Sequence, residues 1–142
     1  MKNPDRWQQR FENYLAALQK YDAAVKEYLN NNNLTDLEQE GIIQRFEYTQ
    51  ELSWKVLSDY LKYQGGNEII TGSRDAYRRA FATGLITDAD TWFEMITIRN
   101  ETSHRYDDEM LDETLKLIAH SFYDCFHQLK NKMEEIIHSE NQ

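Results

Sequence analysis

The stretch Thr35–Gly66, TDLEQEGIIQRFEYTQELSWKVLSDYLKYQGG, decides how the rest of the chain is read. Its opening Thr35-Asp36-Leu37-Glu38 has the spacing of a capping box, in which the residue three positions on reaches back to the cap residue. Behind it Ile42, Phe46, Thr49, Leu52, Ser53, Val56, Tyr60 and Leu61 recur in helical steps to about Gln64. Gly65-Gly66 then ends the helix, since glycine is the residue most easily placed in a left-handed C-cap. Upstream, Asn3 is a candidate N-cap and Pro4 a first helical residue, where its missing N–H costs nothing. Trp7, Phe11, Tyr14, Leu15, Leu18, Tyr21, Val25, Tyr28 and Leu29 trace one helical face from about 4 to 30, and the asparagines Asn30–Asn33 stop it. Two long antiparallel helices are the simplest arrangement.

Downstream, Ser73 is positioned to cap a short helix from Arg74 to Thr83 that stops at Gly84. Thr87-Asp88-Ala89-Asp90 opens another, with acids where the helix dipole favours them. Trp92, Ile96, Arg99 and Ser103 share a face of this fourth helix. Asp107 and Asp108 start the last helix, whose stripe runs Leu111, Leu115, Ile118, Phe122, Phe126, Leu129, Met133, Ile136 and Ile137. No strand pattern and no internal repeat is visible. With one proline and five glycines among 142 residues, the composition also suits long helices. The reading is an all-α, antiparallel up-and-down four-helix bundle with one additional short helix, forming a single domain over residues 1–142.

Sixteen Lys and Arg against 25 Asp and Glu leave a formal charge of −9, so a global positive field for nucleic acid is excluded and any such site must be a local patch. The single cysteine, Cys125, excludes an internal disulfide framework and reads as a small buried hydrophobe. Mean hydropathy is −0.83, and neither a membrane-length apolar run nor a secretory signal is expected. The expectation is a cytoplasmic chain without membrane contact.

The most informative stretch is Ile98-Arg99-Asn100-Glu101-Thr102-Ser103-His104-Arg105-Tyr106. Arg99 lies on the apolar side of its helix, where a guanidinium needs a partner, a cleft or an interface. On a continued helix His104 would point about 140° away from it, at ~100° per residue, so the chain must turn near 104–107 if the two are to converge. An arginine and a histidine aimed at one point suffice for RNA cleavage without metal. The histidine takes the 2′-hydroxyl proton or protonates the leaving oxygen, and the arginine holds the scissile phosphate bidentately. From spacing alone, a structural Arg–acid pair beside a surface histidine remains the competing reading.

Arg99-Asn100-x-x-x-His104-x-Tyr106 resembles the R-x4-H-x-Y signature of HEPN-domain proteins, in the branch named for nucleotidyltransferase-substrate-binding proteins. Phe46-Glu-Tyr-Thr-Gln-Glu-Leu-Ser-Trp54-Lys55, Asp59-Tyr60-Leu61 and Ala80-Phe-x-x-Gly84-Leu85-Ile86 before Trp92 resemble the same branch. The likeness covers roughly residues 36 to 125, and the first helix only by pattern. It implies a helical bundle that pairs as a homodimer, with the motifs of two protomers near one another. It also implies a metal-independent endoribonuclease toxin encoded near a minimal nucleotidyltransferase antitoxin. By the resemblance Arg99 and His104 are catalytic, Asn100 is a polar helper, and Tyr106 is the residue the partner adenylylates to silence the enzyme. No cofactor and no metal is implied.

Other features bear on that expectation. Asp107, Asp108, Glu109, Asp112 and Glu113 suit a helix start but repel a polyanion. Arg74, Arg78 and Arg79, with Arg105, are a candidate phosphate- or RNA-binding patch; the alternative is a salt-bridged face. Gly72-Ser73 with Asp88-Ala89-Asp90 mimics a nucleotidyltransferase site but lacks the strands that would carry it. His120, Asp124 and His127 have metal-ligand types, yet lie opposite the apolar stripe and read as a solvated face. Glu51 and Lys55 form a favourable i,i+4 pair. Two functional readings stay open: a ribonuclease toxin, and a non-catalytic subunit that binds substrate or nucleotide for a nucleotidyltransferase. A purely structural dimerisation bundle is a third.

Overall fold

A computed structural model describes residues 4–66, 69–102 and 107–141. Six helical segments follow one another: α1 (Pro4–Asn30), α2 (Asp36–Tyr63), α3 (Ser73–Ala82), α4 (Ala89–Thr102), α5 (Asp108–Ala119) and α6 (Ser121–Glu140). No strand occurs among the described residues, and the fold is all-α. Asn3 lies outside them.

The helix ends follow local chemistry. At Thr35 both halves of the capping box form: the Glu38 N–H donates to Thr35 Oγ1 at 3.1 Å and the Thr35 N–H to Glu38 Oε1 at 3.0 Å. Asp107 caps α5 by accepting the Met110 N–H at 2.8 Å. α3 ends in a Schellman motif, in which Gly84 takes φ 80° while the Leu85 N–H reaches the Ala80 carbonyl at 2.8 Å. Gly65 and Gly66 close α2 with the same pair of bonds, to the carbonyls of Lys62 and Leu61.

Two boundaries depart from the sequence reading. Ser73 is not a cap but the first residue of α3; the cap position falls on Gly72, at φ 146°, and carries no side-chain bond. The Asp75 carboxylate accepts the Thr71 N–H at 3.3 Å just ahead of it. The last helix is not continuous either. Its backbone breaks at His120, with φ −124° and ψ −82°, although the apolar stripe runs through without glycine or proline. A single helix would assign the Ile118 carbonyl to the N–H of Phe122. Here that carbonyl accepts the buried hydroxyl of Tyr21 from α1, so a tertiary bond serves one of the groups that a helix end leaves without an intrahelical partner. Burial pushes the Tyr21 hydroxyl well above its ordinary pKa, which keeps it a donor. Tyr21→Phe is expected to cost about 1–3 kcal/mol by stranding a buried carbonyl. A lower urea midpoint at unchanged slope would show it.

α1 and α2 run antiparallel. Near one end Arg10 Nε meets Asp59 Oδ2 at 3.1 Å, and further along Arg45 Nη1 donates to the Lys20 carbonyl at 3.0 Å. α6 crosses between α1, α2 and α4 and carries the centre of the core. Phe46 stacks on Phe122 at 5.0 Å, and Phe126 meets the rings of Tyr21 at 5.0 Å and Trp92 at 5.7 Å. Trp92 continues to Tyr77 of α3 at 4.9 Å, so the short helix is tied to the same aromatic cluster. Cys125 is buried in this core, and burial pushes its thiol up to about 12, consistent with its reading as a small apolar filler.

Candidate functional site

α2 presents Glu47, Gln50, Glu51 and Trp54 at helical spacing on one side, and the final turn of α4 presents Arg99 and Thr102, three apart, toward them. Arg99 Nη1 donates to both Gln50 Oε1 and Glu51 Oε2, each at 2.6 Å. Glu51 also accepts from Trp54 Nε1 at 3.3 Å and pairs with Lys55 Nζ at 3.2 Å. Thr102 Oγ1 lies 3.2 Å from Glu47 Oε2 and 3.0 Å from the Arg99 carbonyl, fastening the helix end just before the histidine of the motif in sequence.

Behind Arg99 the polar groups run inward. Gln50, 1% exposed, donates from Nε2 to the Tyr77 hydroxyl at 3.0 Å, and Tyr77 lies 2.7 Å from Ser53 Oγ. Outward, the Arg99 and Glu51 side chains are 33% and 32% exposed, so a ligand can reach them and the ion pair contributes little to stability. Burial alone would raise the Glu51 carboxyl, but hydrogen bonds from Arg99, Trp54 and Lys55 outweigh it and hold the group below the usual carboxylate range. Its contribution is therefore present above the ordinary carboxylate pKa and is lost only as pH falls through the lowered value.

Asn100 is exposed on α4. Arg78 and Arg79 both pair with Asp75, at 2.6 and 3.1 Å, while Arg74 lies over the Phe93 ring at 5.5 Å. Hydrogen bonds from Arg78 and then Arg79 lower the Asp75 carboxyl. His104, Arg105 and Tyr106 lie outside the described residues. The acids Asp107, Asp108, Glu109, Asp112 and Glu113 are all exposed. His120 and Asp124 are exposed, in keeping with a solvated face, while His127, a quarter exposed, lies with Nε2 2.7 Å from Asp22 Oδ1 and packs its ring on Tyr123 at 4.3 Å. Sequence reasoning missed Gln50 altogether and gave Glu51 only its Lys55 partner. The available signal was Arg99 itself, a cation on an apolar face that required an acceptor from a facing helix.

The family model described as "nucleotidyltransferase substrate binding protein like" matches residues 9–135, from within α1 to within α6. The chain belongs to that family. In this nucleotidyltransferase-substrate-binding-like chain the match takes in most of the first helix, where the sequence showed only pattern. A probable ribonuclease HepT of Haemophilus influenzae is 39% identical over 72 residues, which is 49% of each chain; the match thus spans about half the length of that relative. A solved protein of Thermus thermophilus superposes with TM-score 0.67 at 26% identity, covering 81% of this chain and 97% of that one. A chain from a mutant of the toxin–antitoxin MntA-HpeT superposes with TM-score 0.75 over 89% of this chain and 98% of its own; at 18% identity this is a likeness of fold. Among the described residues no helix is long and apolar enough to cross a membrane.

Proposed function

We propose that this chain is the HEPN toxin subunit of a two-component nucleotidyltransferase–HEPN toxin–antitoxin system, and that it cleaves RNA without metal. The observation that carries the reading is the placement of Arg99: a part-exposed guanidinium, fixed by two 2.6 Å bonds, on the helix that leads into His104, within a chain whose family match covers 9–135. The half-length likeness to a probable ribonuclease and the shared fold of a toxin–antitoxin chain support it. His104 takes the 2′-hydroxyl proton, the 2′-oxygen attacks phosphorus, and the 5′-oxygen departs with a proton returned by the imidazolium or supplied by water, leaving a 2′,3′-cyclic phosphate. Arg99 binds the phosphate and stabilises the charge that develops on it. Asn100 assists at the same helix end. Two protomers pair with their motifs adjacent, and the chain works in the cytoplasm beside a nucleotidyltransferase that silences it by placing AMP on Tyr106. Arg74, with Arg78, Arg79 and Arg105, guides the RNA backbone.

Two observations favour the second reading, a non-catalytic subunit that binds substrate or nucleotide for the transferase. The Glu51 carboxylate already sits on Arg99, and five exposed acids follow the motif. RNA incubated in EDTA with protein expressed without its partner, beside His104→Ala purified identically, separates the two. Intact mass first establishes that Tyr106 is unmodified. Cleavage with 2′,3′-cyclic phosphate ends, lost in the mutant, is the expected result. Equal silence from both proteins would move the assignment to the binding subunit.

A further inference from the structure

Arg99 is held from behind by a chain of buried hydrogen bonds whose direction is fixed. The Ser53 hydroxyl lies 2.6 Å from the Gln50 main-chain carbonyl, an acceptor only, so Ser53 spends its proton there. At 2.7 Å from Ser53 Oγ, the Tyr77 hydroxyl must then be the donor; its other acceptor, the Gln50 carbonyl at 3.4 Å, would spend the same proton. The Tyr77 oxygen is therefore left to accept, and it accepts from Gln50 Nε2 at 3.0 Å. That turns Gln50 Oε1 toward Arg99 Nη1 at 2.6 Å. Reversing the amide would set its NH2 against the guanidinium, donor against donor, while offering the Tyr77 oxygen no proton. Ser53 and Tyr77 are fully buried and Gln50 nearly so, so no water can replace a lost partner without cost. The Tyr77 ring is itself immobilised against Trp92.

We propose that Gln50 and Tyr77 are positioning residues: α3, through the Tyr77 hydroxyl and the Gln50 amide, sets the orientation of the Arg99 guanidinium toward the phosphate. The inference rests on the ribonuclease reading, in which Arg99 binds the scissile phosphate. Neither residue touches substrate. Their loss lets the guanidinium turn, so the chemical step suffers more than binding.

The test compares Tyr77→Phe, Gln50→Leu and Gln50→Glu, the last keeping an acceptor toward Arg99. Two quantities are measured: single-turnover RNA cleavage in EDTA, and the rate of Arg99 guanidinium rotation by 15N NMR, its signal assigned by its absence in Arg99→Lys. Tyr77→Phe and Gln50→Leu are expected to lower the cleavage rate about tenfold at saturating RNA, with KM within about twofold, and to accelerate Arg99 rotation. Gln50→Glu, whose second oxygen can accept the Tyr77 proton once that hydroxyl turns from Ser53, is expected to retain slow rotation and most of the rate. Folded variants with wild-type rotation and wild-type cleavage would overturn the proposal. So would equal loss in Gln50→Leu and Gln50→Glu at unchanged rotation. If Tyr77→Phe does not fold, the two Gln50 variants decide. A wild-type protein that cleaves no RNA would defeat the ribonuclease reading, while the rotation rates would still report whether Tyr77 and Gln50 orient Arg99.

Discussion

On the proposed ribonuclease function, Arg99→Lys is expected to lower RNA cleavage by about 10²–10³-fold, the range for losing a preorganised donor at a developing oxyanion. A lysine keeps the charge but presents it as a point on a flexible stem, whereas the guanidinium holds its donors in a fixed planar fork. In this site one nitrogen is already committed to Gln50 and Glu51, and a single ammonium cannot keep both partners and also span two phosphate oxygens. Stability should hardly change, because the Arg99 and Glu51 side chains are one-third exposed and such pairs contribute about 0–1 kcal/mol. The check is cleavage rate beside the melting temperature of the same preparation. A folded lysine variant that cleaves like the wild type would remove Arg99 from the chemistry.

The second large effect concerns stability. Phe126 is fully buried where α1, α2, α4 and α6 meet, with ring contacts to Tyr14, Tyr21, Phe46 and Trp92. Phe126→Ala would open a cavity among aromatic rings, two of which are anchored by their own hydroxyl bonds and cannot collapse into it. The cost is expected to be about 3–5 kcal/mol, or a fall of about 10–17 °C in melting temperature. Phe81→Ala is the matched control: at 53% exposure its removal should change stability by no more than about 0.5 kcal/mol. Urea titrations of the two variants give the comparison, and equal midpoints would contradict the placement of Phe126.

These two residues also mark how far the sequence could be read. Phe126 belongs to a stripe in helical steps, and the stripes, Thr35-x-x-Glu38 and the terminal glycines are local signals with one structural meaning each. They located α1, α2 and the all-α fold. His120 sent no such signal, because its break answers to Tyr21, a residue distant in the chain, and not to glycine or proline. Ser73 misled in a small way: a good capping residue stood next to a glycine that took the cap position. At the site, Arg99 was legible from its motif and from its place on an apolar face. Its acceptors were not. Gln50 is an ordinary polar residue by composition, and Glu51 had a satisfying partner in Lys55 one turn away. Only the packing of α4 on α2 shows that both also serve the arginine.

The bonds that define the site join residues 48, 49 and 55 positions apart, from α2 to the end of α4. A peptide carrying Arg99 through Tyr106 would contain the whole signature and none of its geometry. Closing so long a loop costs entropy that a single pair of side chains cannot recover, so the contact forms only when the docking of α4 on the bundle brings its core face with it. The string of letters is local, but the geometry it stands for needs α2 and α4 together, and a ribosome that has released only the first two helices has not yet made any of the bonds that hold Arg99.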